Sequence, residues 1–198
     1  MAAADERMAT DATMSATTGA MIPGEELRIR PALDADLPEI LAIYGHAVLH
    51  GTGTFETEVP GLAEMERRRG EVLERGLPFL VAERAGGVLG YAYANWFRPR
   101  QAYRYFVEDS VYLRPEAQGQ GVGRRLLTEL IGRCEEAGAR QMVAVIGDSQ
   151  NHASVGLHRA LGFEQVGLLR ASGWKFDRWL DVVLMQRALG VGDRIPPG

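Results

Sequence analysis

The residues with the plainest chemical meaning lie between Tyr105 and Arg125. Gln118, Gly119, Gln120, Gly121, Val122 and Gly123 form a glycine-rich loop between a strand-like run and an amphipathic helix. Glycines let the backbone come close to a ligand. A helix N-terminus offers unpaired N–H groups and the positive end of a dipole. Together these make a seat for a phosphate or pyrophosphate. Two common nucleotide loops fail on spacing. A P-loop needs Lys followed by Ser or Thr after its last glycine, and here Arg124 and Arg125 follow. A dinucleotide fingerprint needs Gly-x-Gly-x-x-Gly, and Gly119, Gly121 and Gly123 miss the third position. What remains is Gln118-x-x-Gly121-x-Gly123, a pattern that an ordinary glycine-rich turn also satisfies.

Ionisable side chains flank this loop. Glu108 and Asp109 lie in the run Tyr105 to Leu113, and strand alternation sends them to opposite faces. His158 carries an imidazole, which gives or takes a proton near neutral pH. Arg98, Arg100 and Arg104 lie just before the run, and a guanidinium fork suits a carboxylate. Each has a plainer reading: a surface carboxylate, a packed histidine, a solvated basic loop or a subunit contact. The single cysteine, Cys134, excludes a disulfide framework and a cysteine zinc site, and reads as a buried helical thiol. His46, His50, His152 and His158 form no clear metal motif, so no metal is expected.

The elements that must position these groups follow from periodicity. The chain has 198 residues, enough for one domain with a sizeable core. Its hydrophobic and charged fractions, 46% and 24%, are those of a globular protein, and a net charge of −4 argues against general nucleic-acid binding. No apolar run approaches the ~20 residues of a membrane span, so a cytoplasmic location is the default expectation. Residues 1–25 lack helical or strand periodicity and the regions of a signal peptide, and are expected to be a disordered tail.

A first strand is expected at Leu27–Arg30, then a helix from Asp36 and a second from Pro60 to Gly76. Phe79–Ala82 and Val88–Trp96 read as a hairpin. Residues 97–104 form a loop before the central strand, and the glycine loop then opens the next helix. Gln141–Ile146 reads as a strand buried on both faces, and Asn151–Leu161 as a short helix. Phe163–Leu169 and Trp179–Met185 complete a mainly antiparallel sheet of about seven strands with one parallel pair around the loop-helix. Residues 188–198 are expected to be a flexible tail.

This order, with Gln118-x-x-Gly121-x-Gly123, resembles the GCN5-related N-acetyltransferase (GNAT) superfamily, whose α/β (α+β) fold it implies over residues 26–187. Several segments resemble one branch, the phosphinothricin and methionine sulfoximine N-acetyltransferases. They are Ala42-Ile43-Tyr44 with Ala47-Val48-Leu49, Phe97-Arg98-Pro99-Arg100, and Val107 to Tyr112. Leu157 to Phe163, Trp174-Lys175-Phe176 and Arg178 to Asp181 complete the set. Asp109 departs from the pattern, since relatives often carry His or Ser there, and this bears on substrate preference.

The resemblance implies acetyl-coenzyme A as cosubstrate, a small-molecule amine as acceptor and a homodimer as the assembly. It implies that Gln118–Gly123 hold the pyrophosphate, with Ser110, Val111 and Tyr112 along the pantetheine arm and Asn151 near the cofactor. It further implies that a main-chain N–H on that strand polarises the thioester carbonyl. Glu108 is the implied general base, acting directly or through a water, and His158 a candidate proton donor to the leaving thiolate. Phe97, Arg98, Pro99 and Arg100, with Val107, Glu108 and Asp109, are the implied acceptor-site residues. The expected reaction is direct attack of an α-amino group on the thioester. A non-catalytic acyl-coenzyme A sensor, or an enzyme acting on a peptide N-terminus or polyamine, are the alternatives. The arginine loop argues against a cationic polyamine.

Overall fold

A computed structural model describes residues 26–197, so the expected tail at 1–25 lies outside the described residues. Its seven-stranded sheet has the order β1-β2-β3-β4-β5-β7-β6. In chain order the strands are β1 (Arg28–Pro31), β2 (Phe79–Arg84), β3 (Gly87–Trp96), β4 (Phe106–Leu113), β5 (Gln141–Gly147), β6 (Glu164–Lys175) and β7 (Arg178–Ala188). All neighbours are antiparallel except β4 and β5, as the loop-helix between them requires. The helices are α1 (Leu37–His50), α2 (Leu62–Glu74), α3 (Val122–Glu136) and α4 (His152–Ala160).

One feature of the ladder creates the site. β4 pairs with β3 from Val107 to Leu113, but with β5 only from Phe106 to Asp109. Meanwhile β5 stays paired to β7 over its full length, Gln141 to Gly147. Beyond Asp109 and Ala144 the parallel ladder ends, and a wedge opens in the sheet.

The two faces of β4 are covered differently. Glu108, Ser110 and Tyr112 lie opposite Asn95, Tyr93 and Tyr91 of β3. Over Tyr112, α1 places the Tyr44 ring edge-on, with centroids 5.1 Å apart. On the other face α3 buries Leu126, Leu127, Leu130 and Cys134. Each large aliphatic chain buried there contributes about 1.5–3 kcal/mol of transfer free energy.

Several boundaries differ from the sequence reading for local reasons. Gly61, not a residue before Pro60, is the N-cap of α2, which begins at Leu62. Asp36 is the N-cap residue of α1, but its side chain makes no cap; its carboxylate accepts the Arg30 guanidinium at 2.7 and 2.9 Å and the Leu33 N–H at 2.7 Å. β6 continues past Leu169 through an irregularity in its pairing to Lys175. A two-residue turn, Phe176 and Asp177 at φ 53° and 54°, then leads into β7. Positive φ at both positions matches the twist of a hairpin; Asp177 is a residue type that tolerates it, while Phe176 gives no signal for it. At the other end β7 runs to Ala188, and Leu189 is buried with its N–H on the Arg140 carbonyl at 2.9 Å.

Candidate active site

The wedge leads into a cavity of about 740 Å³. Of the expected residues, Gln118, Gly119, Gly121, Val122 and Gly123 line it from the loop. Glu108, Asp109, Ser110, Val111 and Tyr112 line it from β4, and Asn151 and His158 from the start and body of α4.

The loop end has the geometry of an anion seat. Gly119 and Gly121 have φ of 71° and 78°, where a Cβ is strained. Gly121 is the N-cap of α3 and makes no side-chain cap, so no side chain takes the first N–H groups of the helix. A Cβ on Gly123 would meet Leu113 Cδ1 at 3.3 Å and Leu157 Cδ2 at 3.4 Å, so this glycine serves close packing. Gln120 stands apart: it is exposed, accepts from Arg84 at 2.9 Å and donates to the Glu116 carbonyl at 2.6 Å. Asn151 caps α4, accepting the Ser154 N–H at 3.2 Å, and faces the cavity as well.

Glu108 sits at the far end of the same cavity. Burial raises its pKa most, the adjacent Asp109 charge adds to this, and Arg98 opposes; the result is about 7. A carboxylate so placed takes a proton reversibly at neutral pH.

Asp109 points to the opposite face of the strand from Glu108, as alternation requires, and meets His158. Their side chains are almost inaccessible, 2% and 4% exposed, with Asp109 Oδ2 3.0 Å from His158 Nε2. His158 Nδ1 donates to the Ser154 carbonyl at 2.7 Å. Burial pulls the imidazole pKa down, but the bond to Asp109 and its charge outweigh this, and the net shift is upward. Both ring nitrogens are therefore engaged. Giving a proton to a thiolate would require His158 to break one of these bonds. Asp109 Oδ1 is buried without a hydrogen-bond partner, so the carboxylate is held by the imidazole alone.

The arginine loop lies at the edge of this arrangement. Arg98 stands 4.5 Å over the Phe97 ring and near enough to lower the Glu108 pKa. Phe97, Arg98, Pro99 and Arg100 are not in the cavity wall, and Arg98, Pro99 and Arg100 are exposed. Val107 is fully buried in the core, because its side chain alternates to the face opposite Glu108.

Sequence reasoning missed part of the wall. Thr54 and Phe55, from the α1–α2 loop, line the cavity, with Thr54 Oγ1 3.1 Å from the Tyr44 hydroxyl. Ala144, Val145, Ile146 and Gly147 line it from the separated half of β5. The one signal for the loop was an aromatic, Phe55, in an otherwise polar stretch.

Residues 46–163 match the Acetyltransferase (GNAT) family. The chain is 56% identical over 169 residues to a phosphinothricin N-acetyltransferase of Alcaligenes faecalis, covering 85% of this chain and 86% of that one. It is 47% identical over 160 residues to an L-methionine sulfoximine/L-methionine sulfone acetyltransferase of Pseudomonas aeruginosa, covering 80% and 92%. It also resembles the crystal structure of a GNAT superfamily phosphinothricin acetyltransferase from Sinorhizobium meliloti in complex with acetyl-coenzyme A. There the TM-score is 0.84 at 50% identity, covering 87% of this chain and 93% of that one. The chain belongs to the GNAT acetyltransferase family, alongside the phosphinothricin and methionine sulfoximine N-acetyltransferases.

Proposed function

We propose that this chain transfers an acetyl group from acetyl-coenzyme A to the α-amino group of a small amino-acid analogue of the phosphinothricin, methionine sulfoximine or methionine sulfone type. The observation that carries this reading is one cavity with two unlike ends. At one end the uncapped N–H groups of α3 and the left-handed Gly119 and Gly121 suit a pyrophosphate. At the other a half-buried carboxylate titrates near pH 7. The separated strands between them suit an extended arm that bonds to strand backbone.

Acetyl-coenzyme A, when bound, supplies the activated acetyl group as a thioester. The chain's own residues do the rest. Glu108, directly or through a water, takes a proton from the acceptor ammonium; the free amine attacks the thioester carbonyl, the C–S bond breaks, and coenzyme A leaves as a thiolate that is neutralised by the proton shed from the acetylated nitrogen. Main-chain N–H groups along Ser110–Tyr112 hold the carbonyl end. Arg98 and Arg100 attract the acceptor's acid group. A half-buried base in the cavity favours an enzyme over a non-catalytic sensor.

In this reading the catalytic domain spans residues 26–187 and works in the cytoplasm as a homodimer. The exposed Val166, Leu169, Trp174 and Trp179 of the β6–β7 hairpin support an interface there.

The test is release of free thiol from acetyl-coenzyme A with a panel of amines. Phosphinothricin, methionine sulfoximine and methionine sulfone are expected to lead it. Preference for a polyamine or a peptide N-terminus would replace the acceptor assignment, and binding without turnover would replace the enzyme.

A further inference from the structure

Lys175 has no part in the chemistry above, yet it is 5% exposed. A buried ammonium is costly unless its protons find acceptors. Nζ donates to two backbone carbonyls, Gly51 and Thr54, each at 2.9 Å. Both belong to the loop between α1 and α2, more than 120 residues away in sequence. Glu56, on the same loop, is the carboxylate whose charge acts on the amine.

The same hairpin makes room for that loop. A Cβ on Gly173, two residues before Lys175, would lie 2.5 Å from Phe55 Cδ2 and Cε2. A Cβ on Gly147, at the end of β5, would lie 2.3 Å from the Thr52 carbonyl oxygen and 2.9 Å from Phe55 Cε1. The Phe55 ring thus fits where only glycine leaves space. The hairpin tip is tied in turn to the residue that follows β5, with Arg178 Nη2 on Asp148 Oδ2 at 2.5 Å.

Thr54 and Phe55 line the same cavity as Glu108. Their backbone has no regular secondary structure around it, so its conformation depends on such tertiary anchors.

We propose that Lys175 is a positioning residue: by holding the Gly51 and Thr54 carbonyls it sets Thr54 and Phe55 as the acceptor wall of the site. The assignment of that wall to the acceptor rests on the function proposed above; the clasp itself does not. A structural lysine of no consequence for the site would, when lost, lower stability and leave both substrate constants alone. A positioning lysine moves one of them.

Lys175→Met keeps the stem and removes the donors. Two readouts are needed: amide hydrogen exchange over residues 51–55, and KM for each substrate. Exchange in the loop is expected to rise about tenfold as its opening free energy falls. The acceptor KM is expected to rise about tenfold or more, with the acetyl-coenzyme A KM within about twofold, because a misplaced contact surface weakens only what it touches. Unchanged loop exchange in a folded variant overturns the clasp, whatever the activity. Faster exchange with both KM values unchanged, or raised equally, overturns the acceptor role. If the wild-type protein acetylates no acceptor, the proposed function fails while the exchange result still decides the clasp. Should Lys175→Met not fold, Gly173→Ala drives a methyl into the Phe55 ring and is read the same way.

Discussion

Replacing Glu108 with Gln removes the base while keeping the shape of the side chain. An α-amino group has a pKa near 8 in peptides, so at neutral pH it is mostly protonated and cannot attack. An ordinary carboxylate is too acidic to help much, but burial first and then the Asp109 charge bring Glu108 up to about 7. Near pH 7 about half of the enzyme then carries the ionised base, close to the condition in which general-base catalysis is most effective. Such a base typically contributes ~10²–10⁴-fold, equivalent to about 2.7–5.4 kcal/mol of barrier.

The expected result is a fall in kcat of that size at pH 7. The acetyl-coenzyme A KM should hardly change, since the loop at Gln118–Gly123 is untouched. The pH profile makes the claim sharper. Between pH 6 and pH 8 the ionised fraction of Glu108 rises from about a tenth to about nine tenths, so wild-type kcat should climb about tenfold with its midpoint near 7. In Glu108→Gln that limb disappears, and high pH rescues part of the rate by freeing the amine in solution. Steady-state thiol release from about pH 5.5 to about pH 9, on both sides of the expected midpoint, checks all of this. Near wild-type kcat in the variant, or a wild-type profile flat through pH 7, would refute the reasoning.

Other expectations follow from the same geometry. Gly121→Val forces a β-branched residue to φ 78°, a strain of about 1–2 kcal/mol that the fold survives; the acetyl-coenzyme A KM should rise strongly and the acceptor KM should not. Arg98→Ala should raise the acceptor KM and move the acid limb of kcat to higher pH, because Arg98 holds the Glu108 pKa down; Arg100→Ala should affect acceptor KM alone. His158→Leu should cost about 3–5 kcal/mol by denaturant titration, since it strands the buried Asp109 carboxylate. The His158 pKa is raised in the folded state, so its contribution to stability is complete below the unfolded value of 6.5 and is lost as pH rises through the folded value. Stability that falls with pH above 6.5 in wild type, and a flatter curve in His158→Leu, is the expected pattern.

Much of this site was legible along the chain because its parts are local. The glycine loop, the strand before it and the helix after it are contiguous, and their turn chemistry needs no distant partner. Alternation alone placed Glu108 and Asp109 on opposite faces, and the structure keeps them there. The apolar run at Gln141–Ile146 announced a strand buried on both faces, and β5 is buried at every position but Gln141 and Val145. What stayed hidden was made by distant pairs. Nothing near Asp109 indicates that its partner is Nε2 of His158, 49 residues on, whose Nδ1 is taken by the Ser154 carbonyl. Lys175 looks like a surface lysine in sequence, and only the path of β6 brings it onto Gly51 and Thr54. β6 itself looked finished at Leu169, because the irregular stretch from Arg170 to Gly173 breaks its alternation. The strand separation beyond Asp109 is a property of two registers at once, and neither strand encodes it alone.

The central claim is a single site that binds acetyl-coenzyme A and acetylates the α-amino group of an acidic amino-acid analogue. The most direct measurement compares kcat/KM for phosphinothricin with that for a polyamine and for an alanine-starting peptide, with each N-acetyl product identified by mass spectrometry. The account predicts saturable turnover of phosphinothricin, acetylated at its α-amino nitrogen, and at least about a hundredfold preference over both others, the margin a paired acid group can supply. Equal or better turnover of the polyamine or the peptide would contradict it.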